Sequence, residues 1–141
     1  MYVSISEFRT FQCALVVILT TLSACAPPPP SLFYSNGYGP MPASRTVVVF
    51  VEDGVEDQTE NVIAIPTGEL PEGYVVIARA TSKSSSGPED AVEQLREQAQ
   101  EIGADAIVVT RNGWDVSMHA DGRMGGRQRA EARYLRRTRA R

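Results

Sequence analysis

The chain has two cysteines in 141 residues, Cys13 and Cys25, and none after position 25. Whatever folds beyond that point is held by packing alone, which excludes a disulfide-built extracellular scaffold. There is one histidine, His119, and no phosphate-binding loop, spaced nucleophile and base, or metal-ligand spacing. The expectation is therefore a protein that is not an enzyme and carries no cofactor. Glu52, Asp53, Glu56, Asp57 and Glu60 are acidic enough to interest calcium, but they lack the alternating ligands and placed glycine of an EF-hand loop. They read as a solvated acidic loop. The apolar run from Phe11 to Leu22 is too short to span a membrane, since about 20 residues are needed to cross a hydrocarbon core of roughly 30 Å.

That short run is nevertheless the most informative stretch. Arg9 and the amino terminus, offset by Glu7, form a weakly basic leader, Phe11–Leu22 an apolar segment, and Leu22-Ser23-Ala24-Cys25 a stop of small residues before four prolines. Ala24-Cys25-Ala26 also has the form of an ordinary secretory cleavage site. Cleavage after Ala26 would leave Pro27 beside the scissile bond, where its ring and tertiary amide obstruct an extended-substrate protease. Cutting before Cys25 avoids this.

These residues resemble the lipobox of bacterial membrane lipoproteins. The resemblance implies that 1–24 is a signal peptide read through Leu22, Ser23 and Ala24, and that the mature protein begins at Cys25. It also implies a diacylglyceryl thioether on the Cys25 sulfur and an acylated amine, with palmitate-type chains. Each buried methylene contributes about 0.8 kcal/mol, so one chain holds weakly and two or three hold lastingly. Within the same resemblance, Ala26 in place of an aspartate favours the periplasmic face of the outer membrane over the outer leaflet of the inner membrane.

The net charge of −3 conceals an asymmetry. From Thr46 to Asp105 there are thirteen acidic residues against three basic ones, net −10; from Thr110 to Arg141 there are nine arginines against three acids, net +6. Such a chain pairs its own ends or shows two faces to different partners.

After the anchor, residues 25–45 read as a Pro- and Gly-rich tether, with Phe33, Tyr34 and Tyr38 as scattered aromatics. Residues 46–135 read as one small α+β domain. Thr46–Val51 is β-branched and continuous, a strand covered on both faces; Asn61–Ile65 and Tyr74–Thr81 are further strands. Pro88 at a first helical position, Glu89 and Asp90 in the first turn, the stripe Val92, Leu95, Ala99, Ile102, and Gly103 beyond it predict a helix packed on the sheet. Ala104–Thr110 follows as a strand, with Asp105 as a strand-end carboxylate. Residues 111–127 read as a flexible Gly-rich loop, with Trp114 over a core edge. Gln128–Leu135 alternates, so Ala130, Ala132 and Tyr134 face inward on a last antiparallel strand. The expected fold is thus one helix on a four- or five-stranded, mostly antiparallel sheet. The region from Tyr74 to Tyr134, through Glu101–Val109, resembles small envelope domains of the kind found in the Rcs stress-sensor lipoprotein.

Function is expected from the address. The leading expectation is a structural or interaction lipoprotein of the cell envelope. Its basic tail, residues 136–141 with Arg136, Arg137, Arg139 and Arg141, would meet an envelope protein, anionic lipid or cell-wall carboxylate. Export removes nucleic acid from the accessible partners. The alternative is a ligand- or metal-binding sensor, in which Met118, His119 and Met124 would suit Cu(I). A hydrolase with dispersed catalytic residues is the third reading.

Overall fold

β-Branched residues pack well on a pleated surface and make a sheet centre when apolar on both faces. Such runs supply the middle of a six-stranded mixed sheet in the computed structural model, which describes residues 28–44, 46–55 and 61–138. The strands are β1 (Ser31–Tyr34), β2 (Val48–Glu52), β3 (Ile63–Ile65), β4 (Tyr74–Ser84), β5 (Ala106–Met118) and β6 (Met124–Arg137). Their spatial order is β1-β4-β6-β5-β2-β3. β1, β4, β6 and β5 pair antiparallel in turn, while β2 is parallel to both β5 and β3. The α+β class with a single helix on a sheet is as expected. The count of four or five strands is corrected to six, because a strand lies within the expected tether.

The helix α1 (Pro88–Glu101) forms where its end signals place it. Proline occupies the first turn, whose missing donor costs nothing there, and Glu89 and Asp90 face the positive end of the dipole. At the other end, Gly103 at φ 76° lets Gly103 N–H reach Gln100 O at 3.2 Å and Ala104 N–H reach Ala99 O at 2.9 Å. This pair of bonds satisfies carbonyls that a helix otherwise leaves open. Ala91, Val92, Leu95, Ala99 and Ile102 are buried against Ile77, Ala78 and Ala80 of β4, Ile107 and Val109 of β5, and Ala130, Ala132 and Tyr134 of β6. Small side chains on β4 and β6 bring helix and sheet close.

Among the described residues no helix lies on the opposite face of the sheet. Phe50, Ala106, Val108 and Leu135 are buried there beside Val48, Ile65, Tyr74 and Val76. The connection from β3 to β4 must travel from one end of the sheet to the far side of β6, and it crosses this face. Glu52, only 8% exposed, accepts from Gly68 N–H at 3.2 Å and pairs with Arg133, whose guanidinium also donates to Glu69 O at 2.9 Å. Glu52 therefore belongs to a buried ion pair and not to the solvated acidic loop expected of it; Glu56, Asp57 and Glu60 lie outside the described residues.

Residues 28–44 behave differently from the expected tether. Ser31–Tyr34 pairs with Ala78–Thr81 as the edge strand β1. The next residues round the carboxyl end of α1, with Met41 N–H on Ile102 O at 3.1 Å and Ser44 N–H on Gln100 O at 2.8 Å. Pro28, Pro29 and Pro30 lie along Gln94, Glu97, Gln98 and Glu101, where Gln98 Nε2 donates to Pro30 O at 2.8 Å.

The same Gln98 accepts from the hydroxyl of Tyr134 at 2.8 Å, so one amide couples the proline segment to the core. Burial pushes the Tyr134 phenol well above its ordinary value of 10.0, with a smaller contribution from Glu101. Above that value the unfolded chain releases the Tyr134 proton and the folded chain keeps it, so stability falls as pH rises. The expected decline is about 1.4 kcal/mol per pH unit for this group. Tyr134→Phe is expected to cost about 1 kcal/mol at neutral pH and to flatten that alkaline decline. Urea unfolding of both proteins at neutral and alkaline pH checks this; parallel declines would contradict it.

Candidate functional site

The segment 111–127, expected as a flexible loop, is the projecting end of a two-stranded arm. β5 and β6 pair from Ala106–Leu135 out to Met118–Met124, whereas β4 stops at the Ser84–Gln128 pair and β2 at Val51–Val109. The tip closes as a turn: Gly122 N–H donates to His119 O at 2.9 Å, His119 N–H to Arg123 O at 2.8 Å, and Asp121 Oδ1 accepts from Arg123 N–H at 3.1 Å. Gly122 sits at φ 78°, which a side chain rarely adopts. A register shift between Val109 and Arg111 marks the place where the arm leaves the core.

Alternation gives the arm two chemically different faces. On the face shared with α1, Gln128 Nε2 donates to Asn112 Oδ1 at 2.7 Å, and Asn112 approaches Pro88 O at the start of the helix. Beyond Pro88 no helix among the described residues covers the face, and Trp114, Val116, Met118 and Met124 stand 62%, 61%, 75% and 73% exposed. Trp114 lies over Gly126, where a Cβ would come within 3.1 Å of the indole. The expectation that Trp114 packs over a core edge is thereby corrected.

The other face carries Arg111, Asp115, Ser117 and His119 of β5 and its turn, opposite Arg127, Arg129 and Glu131 of β6. Arg129 bridges Asp115 at 3.4 Å and Glu131 at 3.0 Å, and Glu131 also meets Arg111 at 3.7 Å. Lys83, Asp115, Ser117, His119 and Arg127 line a shallow concavity of about 340 Å³, with Gly125 leaving room for the His119 imidazole. Met118 and Met124 therefore point to one face and His119 to the other, so the three donors once considered for Cu(I) do not converge. Among the described residues, no three His, Cys, Asp or Glu side chains are placed to share a metal ion.

The basic tail is also redrawn. Arg136 and Arg137 belong to β6, opposite Val75 and Tyr74. Arg137 Nη2 donates to the Tyr74 hydroxyl at 3.1 Å, its guanidinium stands 5.5 Å from the Tyr74 ring centre, and its N–H donates to Asp105 Oδ2 at 2.8 Å. Asp105 is thus a structural acceptor at the strand end. Arg136 has Nε and Nη2 buried without a hydrogen-bond partner among the described residues. Arg139 and Arg141, like the lipobox residues Leu22, Ser23, Ala24 and Cys25, lie outside the described residues. Among the described residues no helix is long and apolar enough to cross a membrane.

Sequence reasoning missed the arm, although its signal was present. Trp114-Asp115-Val116-Ser117-Met118 alternates strictly, and Asp121-Gly122 follows at the turn. Compared with family models, curated proteins and solved structures, the chain matches none of them.

Proposed function

We propose that this is a bacterial envelope lipoprotein, held by acyl chains on Cys25 at the periplasmic face of the outer membrane, whose domain is a non-enzymatic interaction module. The observation that carries this reading is the sequence Leu22-Ser23-Ala24-Cys25 directly before a segment that packs from Pro28 onward. Cys25 stands three positions before the first described residue, a fitting place for an attachment point. The projecting arm and the bipolar charge supply surfaces for an envelope partner: the outward residues Glu89, Glu93, Glu97 and Glu101 of the helix are acidic, whereas the arm from Arg111 to Arg129 has four arginines against two aspartates. The arm adds a contact surface to that of the basic end, where Arg136 and Arg137 lie on β6.

The experiment is metabolic labelling with palmitate in a bacterial host. The wild-type chain is expected to take up label and lose 24 residues, and Cys25→Ala to do neither. An unlabelled wild-type protein, or label surviving in the variant, contradicts the reading. A second reading, a ligand sensor, has the concavity of Lys83, Asp115, His119 and Arg127 in its favour, since its basic side chains outnumber the one carboxylate and suit a small anion. It requires Trp114 emission or stability to respond to added anion.

A further inference from the structure

We infer that the apolar stripe of the arm, Trp114, Val116, Met118 and Met124, docks on the bilayer that holds Cys25. The inference rests on the lipid-anchor reading and assigns the contact that this anchor promotes.

The first support is sidedness. The stripe continues the face of the sheet on which α1 packs, and Pro28–Pro30 lie against α1 itself, so the first described residues and the stripe lie on one side of the sheet. The second is reach. Cys25 is three residues before Pro28, and three extended residues span at most about 11 Å. Along the helix, Gln94, which lines one groove with Pro28–Pro30, is about 9 Å from Pro88. Asn112, which approaches Pro88, is a further 7 Å or so along β5 from Trp114. Together these steps put the stripe within roughly 30 Å of a bilayer gripping Cys25, about the diameter of the domain, so the anchor keeps the stripe near that bilayer.

The third is the size and chemistry of the patch. Four such side chains offer roughly 400 to 500 Å², well short of the 800 Å² or so per partner that a stable protein complex buries. A patch this small binds usefully only where it is delivered at high effective concentration, which a lipid anchor on the same chain provides. Tryptophan is also the side chain favoured at the membrane–water boundary, where its ring is apolar and its N–H stays wet. Charge favours the tip over the helix: Arg123, 86% exposed at the turn between Met118 and Met124, can meet phosphate headgroups, whereas Glu89, Glu93, Glu97 and Glu101 lie along α1 with Arg96 paired to Glu93. Arg111, Arg127 and Arg129 lie on the opposite face and take no part in the contact.

Trp114 is the only tryptophan in the chain, so its fluorescence reads this contact directly. The mature acylated protein is reconstituted into phosphatidylethanolamine–phosphatidylglycerol vesicles and compared with the same protein in detergent. The expected result is emission shifted to shorter wavelength and quenched by lipids brominated on their acyl chains. Val116→Asp and Met118→Asp replace exposed side chains, so both variants are expected to keep the wild-type melting temperature and still float with vesicles, yet to lose shift and quenching. Flotation with Trp114 still open to aqueous quencher overturns the docking and leaves the anchor standing. Failure to float overturns the anchor itself and the docking with it. A shift that lipid bromine does not quench but that grows with protein concentration assigns the stripe to a second copy and overturns the inference.

Discussion

Replacing Arg133 by methionine is expected to cost about 3–5 kcal/mol of folding stability, the range found when one partner of a buried ion pair is removed. Glu52 is 8% exposed, and its described side-chain partners are Arg133 and the Gly68 N–H. Without the guanidinium, a carboxylate beneath the 66–73 crossing keeps one neutral donor, and Glu69 O loses its donor as well. Since a small domain is stable by about 5–15 kcal/mol, this is a large share of the whole. Replacing both partners, Glu52→Met with Arg133→Met, is expected to recover most of the loss, because two apolar side chains leave no charge to desolvate. Urea unfolding of the two single variants and the double variant measures the coupling. A single Arg133→Met loss below about 1 kcal/mol would show the pair to be solvated.

Gly103→Ala should be nearly as damaging, about 2–5 kcal/mol, for a different reason. At φ 76° a side chain carries roughly 1–2 kcal/mol of left-handed strain. A Cβ there would also stand 2.4 Å from Pro42 O and 3.1 Å from Met41 Cβ, so the segment that rounds the helix end must move, at about 1–3 kcal/mol. The Met41 N–H bond to Ile102 O and the Ser44 N–H bond to Gln100 O are expected to loosen together. Faster amide exchange at Met41 and Ser44 reads this directly. Gly113→Ala is the control, since a Cβ at that glycine meets nothing within 4 Å and is expected to leave both stability and exchange unchanged.

The helix and the central strands could be read from the chain because their signals are local. Pro88, the acidic first turn, the stripe from Val92 to Ile102 and Gly103 specify one helix without reference to anything distant. The run through Val51 required burial on both faces, and the sheet supplies it. β1 was hidden by its neighbours: Ser31–Tyr34 has strand-forming residues, but it stands between prolines and a Gly–Tyr–Gly stretch, and only pairing with β4 fixes it. The arm was hidden because its apolar side is not buried. Alternation was present, but Gly125 and Gly126 read as flexibility when their use is to make room for His119 and Trp114. Which strands run parallel was not legible at all, since it depends on the 66–73 crossing over the far face.

These corrections shorten the distance between anchor and fold. Chain expected to tether the domain is instead part of it up to Pro28, so an acyl chain on Cys25 would hold the domain close to the bilayer and not at the end of a long leash. The intact mass of the mature protein purified from membranes tests this account most directly. It predicts a chain that begins at Cys25 and carries the added mass of a diacylglyceryl group, with or without an amide-linked acyl chain. A mature chain that begins elsewhere, or a Cys25 of unmodified mass, would contradict it.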